Sequence, residues 1–195
     1  MAINAANVFI GTPEQSTTVG ALSRGNVLTT IPADYTAAKT AIANFEMSGY
    51  ISEDGATLII DKSTNGIIEW ARKQVRRTLD SVDATIGCTL LQMDAQDAKF
   101  VFGDSNVSTV AATSGHGNQM KISVGASLDE PHAWALRIKD GDFGMIVLCP
   151  NGQVTSGIDM TFAADQAINM PVTISANSDD AGQLVYIYTD DGLAA

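Results

Sequence analysis

The stretch VDATIGCTLL, residues 82–91, decides the fold. Val82, Ala84, Ile86, Cys88 and Leu90 fall on one side of a two-residue period, and Asp83, Thr85, Gly87 and Thr89 on the other, as a half-buried strand requires. The alternation returns in HAWALRIK (132–139), which sets Trp134, Leu136 and Ile138 against Ala133, Ala135, Arg137 and Lys139. It returns again in VTSGIDMTF (154–162), with Val154, Ser156, Ile158, Met160 and Phe162 opposite Thr155, Gly157, Asp159 and Thr161. These are strands of a sandwich or barrel, and the chain reads as mainly β.

Further strands are expected at 7–10, 27–30, 57–60, 75–79, 120–124, 144–148, 172–176 and 184–188. The dipeptides Asp54-Gly55, Asn65-Gly66, Asp140-Gly141 and Asn151-Gly152 predict the turns between them, because glycine there supplies a positive φ. The first two lie in GYISEDGATLIIDKSTNGIIEW (49–70), which reads as short strands punctuated by two acidic turns. DAQDAKFVFG (94–103) predicts a helix capped by Asp94, with Ala95, Ala98, Val101 and Phe102 as its apolar stripe and Gly103 as its exit. DYTAAKTAIANF (34–45) has Asp34 as cap and Tyr35, Ala38, Ile42 and Phe45 in helical register. Residues 104–118 read as an exposed loop and about 1–25 as an arm with little core of its own.

A chain of 195 residues suits one domain, and 45% hydrophobic with 17% charged residues is a globular composition. The formal charge of −11 argues against wrapping nucleic acid, which needs clustered Lys and Arg to displace counterions. The charge is uneven. Residues 1–81 carry 7 basic and 8 acidic groups, whereas residues 82–195 carry 4 and 14. No apolar run approaches the roughly 18 residues that span a bilayer, so no membrane partner is expected. MAINAANVFIG lacks the features of a signal peptide, which predicts an intracellular product. Cys88 and Cys149 each sit in an apolar run and read as buried free thiols.

No motif carries an enzyme or a cofactor. DKSTNGIIE opens like a calcium loop with Asp61, Ser63, Asn65 and Gly66, but the twelfth position, where the metal needs a bidentate Glu, is Arg72. An Asx-rich turn explains it better. Asp142-Phe143-Gly144 matches a kinase triplet with nothing else of a kinase present, and reads as a hairpin turn with an aromatic plug. His116 and His132 have no partner at metal-ligand spacing. The pairs Asp179-Asp180 and Asp190-Asp191 sit beside glycines in solvated turns. WARKQVRR, by contrast, gathers Arg72, Lys73, Arg76 and Arg77. On an acidic chain, a basic edge suits the acidic face of an identical neighbour better than it suits phosphate.

The order GYISEDGAT, IIEWARKQVRR, VDATIGCTLL and a short helix ending FVFG resembles the major tail tube protein of long, non-contractile tailed bacteriophages. The run GMIVLCPNGQVTSGIDMTFAADQAINMPVTISANSDDAGQLVYIY continues the resemblance, which covers roughly residues 7–188. It implies a β-sandwich or rolled β-barrel core with one packed α-helix. It further implies sixfold rings that join edge to edge and stack into the tail tube, through which DNA passes into the host without specific binding. The implied partners are further copies of the chain, a tape-measure protein, and tail-tip and tail terminator proteins. The implied location is the virion tail, after assembly in the host cytoplasm.

On this reading residues 1–195 form one tail tube domain without the immunoglobulin-like C-terminal domain that some family members carry. Glu53, Asp54, Arg72, Lys73, Arg76 and Arg77 are the expected subunit-interface residues, and Asp83 and Asp159 are the candidates for an anionic lumen wall. The alternatives are a ring-forming tail terminator, or a monomeric β-sandwich binding module.

Overall fold

Residues 84–90 bury Ala84, Ile86, Cys88 and Leu90 and leave Thr85, Gly87 and Thr89 half-exposed, as their alternation demands. The computed structural model describes residues 8–14, 20–126, 128–155 and 158–193. In chain order the elements are β1 (Leu22–Gly25), α1 (Tyr35–Ala41), β2 (Glu46–Met47), β3 (Ile51–Ile68), β4 (Gln74–Leu90), α2 (Ala95–Phe102), β5 (Val107–Val110), β6 (Gln119–Ile122), β7 (His132–Asp140), β8 (Phe143–Val154), β9 (Met170–Ala176) and β10 (Tyr186–Asp190). Eight strands form one sheet, ordered β2-β1-β7-β8-β9-β4-β3 with β10 also on β8, and every pairing in it is antiparallel. β10 and β9 share one edge of β8, β10 along Gly144–Leu148 and β9 along Gly152–Val154.

One face of this sheet sends Leu22, Ile86, Leu90, Trp134, Leu136, Val147, Met170, Val172 and Ile174 into a single core closed by Phe100 and Val101 of α2. Phe100 meets Trp134 edge-on, with ring centroids 5.5 Å apart. On the opposite face a smaller cluster joins Ala38 and Ile42 of the α1 segment to Ala135, Ile146 and Leu148. The expected β core with a packed helix is present, and α1 adds a second helix. Both helices start where their caps predict. The Asp34 carboxylate accepts the Ala37 amide at 2.8 Å, and Asp94 Oδ1 accepts those of Gln96 and Asp97 at 2.9 and 2.8 Å.

Several local expectations are corrected. Asp54-Gly55 and Asn65-Gly66 are not turns between short strands, because β3 runs unbroken through both. Gly55, at φ 72°, instead forms a bulge where the register jumps from Ile51↔Leu90 to Ala56↔Cys88. Asn151-Gly152 also lies inside a strand. A Cβ on Gly152 would stand 2.8 Å from Ile174 Cγ2 and 2.9 Å from Trp134 Cδ1, so close packing explains this glycine. Asp140-Gly141 is the turn expected, with Gly141 at φ 60° and Asp140 paired to Phe143.

The strand read over 154–162 ends at Val154. Ile158 and Met160 then pack against the core from a segment without regular structure, and residues 156–157 lie outside the described ones. No strand forms at 27–30 or 8–10, and residue 7 is outside the described residues; Phe9 stacks on Phe143 at 3.7 Å, the aromatic plug of the β7–β8 turn. The 104–118 loop contains a 3-10 turn, Asp104–Asn106, and β5, which pairs with β6. Of the arm read over 1–25, residues 22–25 are a buried strand between β2 and β7, and residues 1–7 and 15–19 are not among those described.

Candidate assembly surface

β9 covers β4 only from Thr85 to Leu90. Residues 74–84 of β4 and their β3 partners, 60–68, therefore leave the sheet as a two-stranded ribbon. At about 3.3 Å per residue it reaches roughly 30 Å. The sequence reading missed it because a ribbon exposed on both sides carries no burial pattern.

The register sorts the ribbon into two unlike faces. Leu58, Ile60, Lys62, Thr64, Gly66 and Ile68 lie opposite Ile86, Ala84, Val82, Leu79, Arg77 and Gln74, so the face that forms the core in the sheet continues outward as a mixed one, apolar at Ile60, Ile68, Val82 and Leu79 and interrupted by Lys62 and Arg77. Val82 and Leu79, three apart, share it only because a bulge at Asp80 resets the phase between Ser63↔Ser81 and Thr64↔Leu79. The other face pairs Ile59 with Thr85, Asp61 with Asp83, Ser63 with Ser81, Asn65 with Thr78 and Ile67 with Arg76. Asp61 and Asp83 are like charges directly opposite, an arrangement that costs stability in an isolated sheet. Asp61, Ser63 and Asn65 thus form neither an ion loop nor an Asx turn: in extended chain their side chains step along one face and do not converge.

The real turn is 69–73. The Glu69 amide donates to the Lys73 carbonyl and the Arg72 amide to that of Glu69, both at 2.9 Å. Arg72 takes φ 64°, a left-handed conformation that costs a non-glycine residue about 1–2 kcal/mol. It throws Trp70, fully exposed, and the basic side chains to the far end of the ribbon. Arg72, Lys73, Arg76 and Arg77 are all exposed there, whereas Glu53 and Asp54 lie in the Gly55 bulge at the root. The structure therefore separates acids and bases that the sequence had set side by side. Asp83 sits on the exposed ribbon face, while Asp159, expected on a strand, is exposed in the irregular segment after β8.

Behind the ribbon, buried polar groups tie the elements together. The Arg24 guanidinium is nearly inaccessible and meets Glu46 at 3.0 Å, Asp104 at 2.9 Å and Asp129 at 3.9 Å, while stacking over Phe100. It was missed because the residue fell in the supposed arm. Asp97, also buried, accepts the Gly49 amide at 2.9 and 3.1 Å, and desolvation raises its pKa to about 6 despite that bond. Burial pushes the Cys88 and Cys149 thiols up to about 12 and about 11, so both are unreactive. Among the described residues no cluster of His, Cys, Asp or Glu could hold a metal, and no helix is long and apolar enough to cross a membrane.

A family model described as phage tail tube protein matches residues 2–195, almost the whole of the chain. The chain is a member of the phage tail tube protein family. It is accordingly a structural component of the virion tail, and not an enzyme. Similar solved structures include a chain in the virion of a native gene transfer agent particle, with 14% identity and a TM-score of 0.40, covering 75% of this chain and 88% of that one. Another is in the tail of an empty gene transfer agent particle computed with helical refinement and C6 symmetry, with 16% identity, a TM-score of 0.42 and the same 75% and 88% coverage. Neither likeness is close enough to carry an argument. No curated protein matches the chain. In this tail tube protein the packing of a single copy leaves the exposed ribbon unexplained.

Proposed function

We propose that the chain closes into hexameric rings that stack into the tail tube, around a tape-measure protein and between tail-tip and terminator proteins, and that the tube conducts DNA into the host. The observation that carries this reading is the free outer edge of β3. At one end of the sheet stands β2, two residues long; at the other stands β3, 18 residues long, with no strand beyond it among the described residues. Such an edge is a row of unpaired backbone groups that a soluble protein covers, and an identical neighbour covers it by adding a strand.

The exposed sheet face supports the lumen part of the reading. Thr57, Asp61, Thr85 and Asp83, with Thr173 and Ser175 of β9, give a polar, anionic surface on which Arg76, near the tip, is the only Lys or Arg of β3 and β4. A wall of that character does not hold phosphates by counterion release. Asp83, with Asp61, remains the lumen candidate. Asp159, beyond the end of β8, is not among the strand residues of this face, and residues 1–195 act as one tail tube domain in this reading.

Negative-stain microscopy of the purified protein tests the assembly. Stacked tubes with sixfold end views are expected. Single rings that never stack would favour a tail terminator, and monomer-sized particles that persist after seeding with preformed tube fragments would refute self-assembly.

A further inference from the structure

Besides the ribbon, the described residues form a groove of about 500 Å³. Its apolar lining includes Val101 and Phe102 of α2, Val124 and Leu128 of the segment after β6, and Ile158 and Met160 of the segment after β8. Val124 and Leu128 are 81% and 67% exposed, far more than a settled core margin needs. Resting on the tube reading above, we infer that this groove receives the ribbon tip of a second copy of the chain, with Trp70 as the inserted side chain.

Three observations select that occupant. The first is charge. Residues 69–77 carry Arg72, Lys73, Arg76 and Arg77 against the single acid Glu69. Asp129 lines the groove, already facing Arg24 at 3.9 Å, Glu130 and Asp159 are exposed next to lining residues in the chain, and residues 122–136 and 140–195 contain no Lys or Arg at all. Lys99 on α2 and Lys121 on β6 are the basic side chains of the elements beside it.

The second is matching chemistry. Trp70, on the turn, is fully exposed and Ile68, at the end of β3, is 63% exposed, and the groove offers apolar walls and a flexible methionine. The third is position. β4 runs from the tip at Gln74 into the sheet at Leu90, and Val154, at the groove, lies level with Ile86 through Ile174. Tip and groove thus sit toward opposite ends of β4. A contact between them is head-to-tail, and one that does not close on itself propagates along an axis.

Cysteine cross-linking in the assembled protein tests this directly, because the two native thiols are buried and inert. The double variant Trp70→Cys/Leu128→Cys, assembled and mildly oxidised, should run as a ladder of covalent multimers on a non-reducing gel. Each single variant should stay at protomer size, and an equimolar mixture of the two singles should give covalent dimers only. Both positions are exposed, so the fold is spared. Tubes that form without a ladder and without mixed dimers overturn the tip-in-groove contact and leave the tube reading standing. A Trp70→Cys variant that dimerises alone also overturns it, because tip would then meet tip. Failure of the unmodified protein to form any multimer removes both readings.

Discussion

Asp97 is the residue at which burial and charge conflict most sharply. It caps no helix of its own, yet its carboxylate fixes the Gly49 amide at the entry to β3, where a Cβ on residue 49 would stand 2.6 Å from Asp97 Oδ2. Desolvation, reinforced by Asp94, outweighs that hydrogen bond and raises the pKa to about 6. The sign follows from linkage. With a folded pKa above the unfolded one, the folded state binds the proton more tightly, so this group adds stability as pH falls from above 6 toward the ordinary carboxylate range and withdraws it as pH rises. Asp97→Asn keeps an oxygen for the Gly49 amide and removes the buried charge. The variant should therefore be more stable than the wild type at pH 7.5, by up to roughly 2–3 kcal/mol, and the advantage should fall to about 1 kcal/mol by pH 4.5, closing only below the ordinary carboxylate pKa. Urea denaturation of both proteins at the two pH values checks it; a difference that does not change with pH removes the buried charge from the account.

At the scale of the element, the ribbon is a hairpin that its own monomer does little to hold. A two-stranded hairpin alone is marginal in water, and this one exposes Ile60, Ile68, Val75 and Leu79 by about half or more. Its amides beyond residue 60 should therefore exchange with solvent quickly in the unassembled protein and become protected on assembly, whereas residues 85–90, between β3 and β9, stay protected throughout. Hydrogen exchange read by mass spectrometry decides this, and a ribbon already protected in the monomer would mean that it needs no neighbour. The same element shows what the sequence could and could not tell. Where the sheet is covered, on one face at 84–90 and on both at 133–137, alternation gave the strand and sorted its faces, and the caps Asp34 and Asp94 placed both helices. Where neither face is buried, alternation lost its meaning. Asp54-Gly55 and Asn65-Gly66 then looked like turns, although one is a bulge and the other plain strand, while the true turn hides in Glu69–Lys73 behind a left-handed arginine. The groove was illegible for a related reason: its walls come from three segments that only the fold brings together.

For the whole molecule, the uneven charge becomes a direction. The basic groups of the first 81 residues concentrate at one extremity, on the tip of the ribbon, and the acids of the remainder are spread over the body, so copies are complementary head to tail and repel in other orientations. Exposed charges add little to the stability of one copy, because water and salt screen them. Reversing Arg76 and Arg77 to Glu should therefore leave the melting temperature of the monomer within a degree or two while sharply slowing assembly, and raising the salt concentration should slow wild-type assembly in the same sense. Among the described residues Arg77 reaches only Gln74, at 3.4 Å, and neither arginine forms an ion pair there that the change would break. Light scattering during assembly, beside thermal melts of the unassembled protein, separates the two effects. Unchanged assembly of Arg76→Glu/Arg77→Glu would mean that the tip charges do not face a neighbour, and that the apolar side chains of the ribbon and the β3 edge drive association alone.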